Sequence, residues 1–329
     1  MQLPLSVLDL SPVGAGVPPS QSVRESVELA IAADRLGYTR YWFAEHHNMA
    51  SIATSAPEIL IAAAAARTER IRLGAGGIMI PNHSPLHVVE VFRTLEALYP
   101  GRIDLGLGRA AGTDPVTASA LRRSEEFDVN RLLAEILAFE DQAFPAHHRF
   151  ARITPMPSDV PAAAFWMLGS TLAGAAIGAQ LGVPYAFAGH FAMGQATEAI
   201  AHYRAGFEPS ARSARPYAMC AVTVICGEDD DHARRLAAPV RVAVANSRTG
   251  KRAPIPSVED ALAHRFTPEE QAIAEEFLAG AVIGGPARVR DGLLALARRL
   301  GADELMLSSL VPGADERRHA LERIATAMA

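Results

Sequence analysis

The feature that most limits how this chain can fold is a regular alternation of strand-like and helix-like segments along its first hundred residues. Candidate strands begin near Thr39, Ile71 and Ile103, each 32 residues after the one before. A step of that length accommodates one strand, one helix and two short loops. Units of this kind produce parallel strands, and their even spacing favours a closed barrel over an open sheet.

Further segments of both kinds continue the pattern to the end of the chain. The eight candidate strands lie near 3–10, 39–45, 71–79, 103–108, 164–168, 184–188, 217–226 and 303–309. The candidate helices of the repeat lie near 20–36, 57–67, 85–98, 171–181, 193–205 and 286–300. The sequence therefore predicts an α/β fold, a (β/α)8 TIM barrel, in which residues 1–329 form a single domain.

Two stretches interrupt the regular step and predict insertions after strands 4 and 7. The first, near 110–163, contains a longer helix around 130–144 and a proline-rich segment. The second, near 227–284, contains an acidic run at 228–231 and a polar loop at 246–252. Because long loops over a barrel mouth often act as lids, we expect the second insertion to be mobile.

Charge and hydropathy exclude several classes of protein. The formal net charge is -5 and the charged residues are interspersed, which argues against nucleic-acid binding. The N-terminus lacks the basic start of a signal peptide, and the most apolar window, 59–66, is too short to cross a membrane. Cys220 and Cys226 lie too far apart along one strand to bond, so we expect free thiols in a cytoplasmic protein.

Three titratable residues, Glu45, His46 and His47, stand where the strand at 39–45 ends and a polar loop begins. In a barrel of this type the carboxyl ends of the strands form one face, which carries the chemistry. His46 is the predicted catalytic residue, because a neutral imidazole can exchange a proton near neutral pH. His47 is instead a candidate packing residue, and Glu45 is a candidate partner for a nearby positive charge.

Arg109 ends the fourth strand and predicts a phosphate site together with the start of a helix. Gly169, Ser170 and Thr171 follow the fifth strand, and the free N–H groups of a helix N-terminus attract anions. The alternative is an ion pair between Arg109 and Glu45 or Asp9, with the hydroxyls acting as ordinary helix caps.

Glycines at the strand ends, Gly76 and Gly77 above all, predict a flat ligand lying across the barrel mouth. The alternative is that these glycines relieve crowding where the strands converge. Asp9, Glu45 and His190 are the candidates for lining the substrate pocket. His83 and His87 have a spacing that can bind metal, but Pro85 lies between them, and no metal site is predicted.

The segments 41–48, 76–85, 101–109, 168–170 and 301–306 together resemble the bacterial luciferase-like flavin monooxygenases, in particular their single-chain oxidoreductases. The resemblance implies FMN bound at the barrel mouth, reduced by a separate reductase, that activates O2 to oxygenate a small organic substrate, a carbonyl compound being one candidate. It implies a homodimer packed through early helices.

The resemblance also implies residue roles. A non-proline cis peptide is implied at Gly76–Gly77 beneath the flavin, phosphate contacts at Arg109, Gly169, Ser170 and Thr171, and a catalytic base at His46. Gly108 stands where the light-emitting enzymes have a reactive cysteine. Two alternatives remain open, a hydride-transfer oxidoreductase that uses a deazaflavin or flavin, and a non-catalytic flavin-binding protein.

Overall fold

The computed structural model describes residues 3–110, 112–121 and 128–329. The strands in these residues are β1 (Leu5–Asp9), β2 (Arg40–Phe43), β3 (Arg72–Met79), β4 (Ile103–Gly108), β5 (Ala164–Gly169), β6 (Tyr185–Phe187), β7 (Ala218–Cys226), β8 (Val282–Gly284) and β9 (Glu304–Ser308). The α-helices are α1 (Pro19–Arg35), α2 (Pro57–Ala65), α3 (Pro85–Leu98), α4 (Pro115–Leu121), α5 (Val129–Glu140), α6 (Leu172–Gln180), α7 (Gly189–Ala192), α8 (Ala196–Ala205), α9 (Asp230–Arg248), α10 (Val258–Ala263), α11 (Pro268–Leu278), α12 (Pro286–Leu300) and α13 (Ala314–Met328).

Eight of the strands close into a parallel ring. The order around the ring is β1, β2, β3, β4, β5, β6, β7 and β9, and β9 pairs with β1 to complete it. The predicted (β/α)8 barrel is confirmed, with its long insertions between β4 and β5 and between β7 and β9. β8 was not predicted. It has only three residues and pairs with 224–226 at the outer end of β7, outside the ring.

The second insertion differs from the loop expected from its sequence. The acidic run at 228–231 begins α9, where the side chain of Asp229 caps the helix by accepting a hydrogen bond from His232 N at 2.8 Å. Acidic groups at this position interact favourably with the positive end of the helix dipole. Residues 246–248 of the predicted polar loop form the last turn of α9.

Alternation along the strands divides the core into two layers. Inward-facing residues fill the barrel, and Trp42 meets Trp166 edge to face with ring centroids 5.3 Å apart. Outward-facing residues such as Tyr41 and Phe43 pack in the larger cluster between the barrel and its helices. This two-residue period decides which side chains at the strand ends can reach the barrel mouth.

A group of charged residues, the floor cluster, fills the amino-terminal end of the barrel. Arg40 contacts Asp104 at 3.0 Å and Glu304 at 2.9 Å, and Arg72 contacts Asp104 at 2.7 Å. Tyr217 donates a hydrogen bond to Glu304 at 2.8 Å. Burial alone would lower the pKa of Arg40, but the two carboxylates outweigh it and raise the pKa above its ordinary value. Arg40 therefore stays charged inside the barrel.

Both cysteines, Cys220 and Cys226, are free and buried on β7.

Of the helices in the described ranges, none combines the length and the apolar character needed to cross a membrane.

Candidate active site

A cavity of about 390 Å³, the main cavity, opens at the carboxyl ends of the ring strands. All eight ring strands contribute residues to its wall, from Leu8 on β1 to Met306 on β9. Its size lies within the range of small-molecule sites. The predicted site residues that line it are His46, Gly76, Gly77, Arg109, Gly169, Ser170, Thr171 and His190.

Three buried nitrogen atoms around the main cavity have no hydrogen-bond partner within the described residues. They are His46 Nδ1, Arg109 Nε and His190 Nδ1. Buried polar atoms in folded proteins are nearly always paired, so each unpaired one requires an explanation. All three belong to residues that line the main cavity. A polar ligand in that cavity is one source of the missing partners.

His46 and His190 are held neutral by their surroundings. Burial lowers the pKa of His46, and the neighbouring Glu45 offsets only part of this effect. Burial, with a smaller contribution from His46, lowers the pKa of His190 to about 3. At neutral pH both rings are therefore uncharged, and each has one ring nitrogen that can accept a hydrogen bond.

Arg109 and the amino end of α6 follow the paired strands β4 and β5 and line the same cavity. Thr171 caps this helix by accepting a hydrogen bond from Gly174 N at 3.5 Å, and Ser170 and Thr171 both line the main cavity. Gly169 and Gly174 approach so closely that a Cβ on either would lie 3.1 Å from the Cα of the other. The glycines thus allow the strand end and the helix start to meet at the cavity wall.

Glu45 does not line the main cavity, although it was predicted in the substrate pocket. Its fully buried carboxylate accepts hydrogen bonds from Met79 N at 2.8 Å and Asn82 Nδ2 at 2.9 Å, and from His47 and His83. Burial alone would raise the pKa of Glu45, but these hydrogen bonds and the field of His83 outweigh it and lower the pKa. Glu45 joins the end of β2 to the end of β3 and is not paired with Arg109.

Asp9, the other acidic residue predicted in the substrate pocket, also lies outside the main cavity. Leu8 and Leu10 line the cavity, so Asp9 between them faces the helices. Its carboxylate accepts hydrogen bonds from Tyr41 Oη at 2.6 Å and Arg317 Nη1 at 3.0 Å. The alternative ion pairs of Arg109 with Asp9 or Glu45 are therefore not formed.

Glycines at the ends of β3 and β4 are required by crowding between strands. A Cβ on Gly106 would lie 2.2 Å from Ala75 O, and one on Gly77 would lie 2.7 Å from Gly106 O. Crowding therefore accounts for these two glycines without a ligand. Gly76 and Gly77 nevertheless line the main cavity, and the peptide bond between them is cis, as the resemblance implied.

Two further cavities adjoin the main one and share His46 with it. The outer cavity, about 420 Å³, is lined by polar residues such as His47, Asp114 and Arg252. The side cavity, about 220 Å³, is bounded by α9 and α11 and shares Leu10, His46, His190 and Phe191 with the main cavity. His46 stands at the junction of all three.

Several apolar residues of the main cavity were not predicted as part of the site. Trp42, Ala44 and His46 line it at two-residue intervals, which is the period of one strand face. The same period applied to the β1 strand would have selected Leu8 and Leu10 in place of Asp9. Phe191 follows His190 in α7, and no strand period in the sequence indicates that it lines the cavity.

His, Cys, Asp and Glu side chains in the described part of the chain form no group of three or more that could hold a metal ion. His83, whose spacing from His87 suits a metal ligand, donates a hydrogen bond to Glu45 instead.

The chain matches the family model described as luciferase-like monooxygenase over residues 3–304. A protein of that name from Escherichia coli (strain K12) is 40% identical over 320 residues, which cover 96% of this chain and 94% of that protein. The crystal structure of apo-MsnO8 is similar with a TM-score of 0.90 at 37% identity, and the match covers 99% of this chain and 98% of that chain.

A more distant structure shares the fold alone. It is the oxygenating constituent of 3,6-diketocamphane monooxygenase from the CAM plasmid of Pseudomonas putida, solved in complex with FMN. Its TM-score is 0.72 at 18% identity, and the match covers 99% of this chain and 97% of that chain.

Proposed function

Because the chain belongs to the luciferase-like monooxygenase family, we propose that it is an FMN-dependent monooxygenase that uses reduced flavin and O2 to oxygenate a small organic substrate. One observation carries this proposal: His46, Arg109 and His190 all line the main cavity, and each has a buried nitrogen without a partner in the described residues. A polar ligand of the cavity would supply their missing hydrogen-bond partners.

The residues of the main cavity fit FMN. Arg109, the hydroxyls of Ser170 and Thr171, and the N–H groups at the start of α6 would hold its phosphate, since they follow the neighbouring strands β4 and β5 at the cavity. Gly76 and Gly77 would support the ring. FMN supplies a redox-active ring that, once reduced by a separate reductase, activates oxygen.

The chain's own residues would position the reactants and move one proton. Leu8, Trp42 and Met306 make the inner wall of the cavity apolar, which excludes water from the reacting groups. His46 Nδ1 would accept a proton at the junction with the side cavity, because the ring is neutral and this atom has no other partner in the described chain.

A titration of the purified full-length protein with oxidised and reduced FMN tests the proposal, with the absorbance difference spectrum as the readout. Binding of reduced FMN, followed by oxygen uptake that depends on a member of a panel of small carbonyl compounds, would support it. Absence of any spectral change would overturn it. Binding of a reduced deazaflavin without oxygen uptake would favour hydride transfer instead.

The phosphate site predicts a difference between FMN and riboflavin, which lacks the phosphate. Replacing Arg109 with Gln should weaken FMN binding about 10- to 100-fold, the equivalent of the ~1.5–3 kcal/mol of a hydrogen bond to a charged group. Riboflavin binding should change less than about threefold, because Arg109 has nothing to contact in that ligand. Fluorescence titration with both flavins measures the difference.

Arg152→Gln provides the matched control, since Arg152 is an exposed arginine that does not line the main cavity. Its affinity for both flavins should equal that of the wild type. Equal losses for FMN and riboflavin in the Arg109 variant would contradict the phosphate assignment and indicate a disturbed cavity.

We further propose that the chain forms a homodimer through α2, whose outer face is apolar. Ile59 and Ala63 lie on one side of the helix, Ala66 follows its last residue, and all three are exposed, Ile59 to 67%. Light scattering should give the mass of a dimer for the wild type, and Ile59→Lys should shift the mass towards the monomer. A monomeric wild type, or an unchanged dimer in the variant, would count against this interface.

A further inference from the structure

The side cavity differs from the main cavity in its walls and its charge. Nine apolar side chains line it, including Met49, Ile52, Val244 and Phe277, so most of its surface favours an apolar ligand. Its volume of about 220 Å³ equals that of about seven water molecules in the liquid, at ~30 Å³ each. An organic group of about ten non-hydrogen atoms has comparable bulk.

Of the described residues that line the side cavity, only Arg248 carries a charge, since His46 and His190 are neutral. Arg248 lies in the last turn of α9, and its side chain is exposed. Within the described residues Arg248 has no hydrogen-bond or ion-pair partner, whereas Arg252 contacts Asp114 at 3.3 Å and Lys251 contacts Glu270 at 2.7 Å. No carboxylate lines the side cavity in the described ranges. The charge of the cavity is therefore complementary to an anion.

The border between the two cavities fixes the direction in which a ligand would lie. Leu10, His46, His190 and Phe191 line both cavities, while Arg248 lines only the side cavity. A ligand whose anionic group contacts Arg248 would therefore lie with its other end nearest to His46 and His190.

We propose that the side cavity is the substrate compartment and that it takes an organic acid, with an apolar body across the cavity and its carboxylate at Arg248. This inference rests on the proposed function, because it assigns the main cavity to the flavin. The second insertion supplies α9 and α11, so it forms the wall that selects the substrate.

The test compares octanoate with octanamide, which has the same number of non-hydrogen atoms and no charge. Isothermal titration of the full chain, with and without FMN, should show octanoate binding about three- to tenfold more tightly than octanamide. Arg248→Met should remove this preference by weakening octanoate alone. Arg235→Met, an exposed arginine of the same helix that lines none of the three cavities, should keep the preference.

A second variant tests where the probes bind. Ser247 is exposed and lines the side cavity, so Ser247→Trp should obstruct the cavity at little risk to folding. Both probes should weaken at least about tenfold, while FMN affinity stays within about twofold of the wild type.

The outcomes separate this inference from the proposed function. Wild-type protein that binds FMN but shows no preference for octanoate would overturn the substrate compartment and leave the flavin proposal intact. A preference that persists in Arg248→Met, or probes unaffected by Ser247→Trp, would overturn it as well. Failure of the wild type to bind FMN would overturn the proposed function, whatever the probes do.

Discussion

Replacing His46 with Gln is expected to lower the turnover number about 100- to 10,000-fold, the range attributed to general acid–base catalysis. Glutamine keeps a polar side chain at the junction of the three cavities but cannot take up a proton. FMN affinity should change less than about threefold, since His46 follows β2 whereas the proposed phosphate contacts follow β4 and β5. Steady-state kinetics with an identified substrate, together with FMN titration, measure the two effects separately.

The pH profile provides a readout that a structural role of His46 would not change. A base acts in its neutral form, and burial lowers the pKa of His46 below its ordinary value of 6.5. In the wild type, activity should therefore be retained down to pH 6.5 and fall only as the pH drops further and the ring is protonated. The His46→Gln variant should lack this decline.

His47→Gln is the matched control for this prediction. His47 donates to Glu45 at 2.9 Å and does not line the main cavity, so its loss should leave most of the turnover intact. A His46→Gln variant that turns over at the wild-type rate, or keeps the acidic decline, would show that another group moves the proton.

The second large effect concerns stability. Replacing Arg40 with Met should lower the free energy of unfolding by about 3–5 kcal/mol, the cost of removing one partner from a buried ion pair. Arg40 is the ion that Asp104 and Glu304 share, and both carboxylates are fully buried. Without Arg40 they repel each other inside the barrel. Urea denaturation followed by circular dichroism measures the loss.

Arg67→Met serves as the control, since Arg67 pairs with Glu28 on the exposed surface. Its denaturation midpoint should match that of the wild type, because exposed ion pairs contribute little. If both variants unfold at the wild-type urea concentration, the floor cluster does not stabilise the barrel.

The fold was predictable because its signal is repeated along the chain. Strands such as β2 and β4 are short apolar runs between helices, and their period is visible without any tertiary contact. β8 was not predicted, because a strand of three residues is too short to show the alternation of apolar and polar residues. The start of α9 was not predicted because an acidic run is typical of loops as well as of helix N-termini.

Site residues were predictable where the type of side chain restricts its role. They were less predictable where the role depends on whether the side chain faces the cavity or the helices. Arg109 and His46 were selected by their chemistry at strand ends, and both lie on the main cavity. Asp9 was selected by charge alone, although its neighbours Leu8 and Leu10 are the residues that face inward. The pairing of Arg40 with Glu304 joins residues 264 positions apart, and only the closed barrel brings them together.

One part of the wall of the side cavity comes from a segment that leaves and rejoins the sheet at nearly the same point. Gly227, the residue after β7, donates from its N to the O of Gly284, the last residue of β8, at 3.1 Å. The chain between these glycines is thus a closed excursion whose two attachment points are adjacent, while the eight-strand ring continues without it. Such a segment could be exchanged as a unit between relatives, giving enzymes with one cofactor site and different specificities.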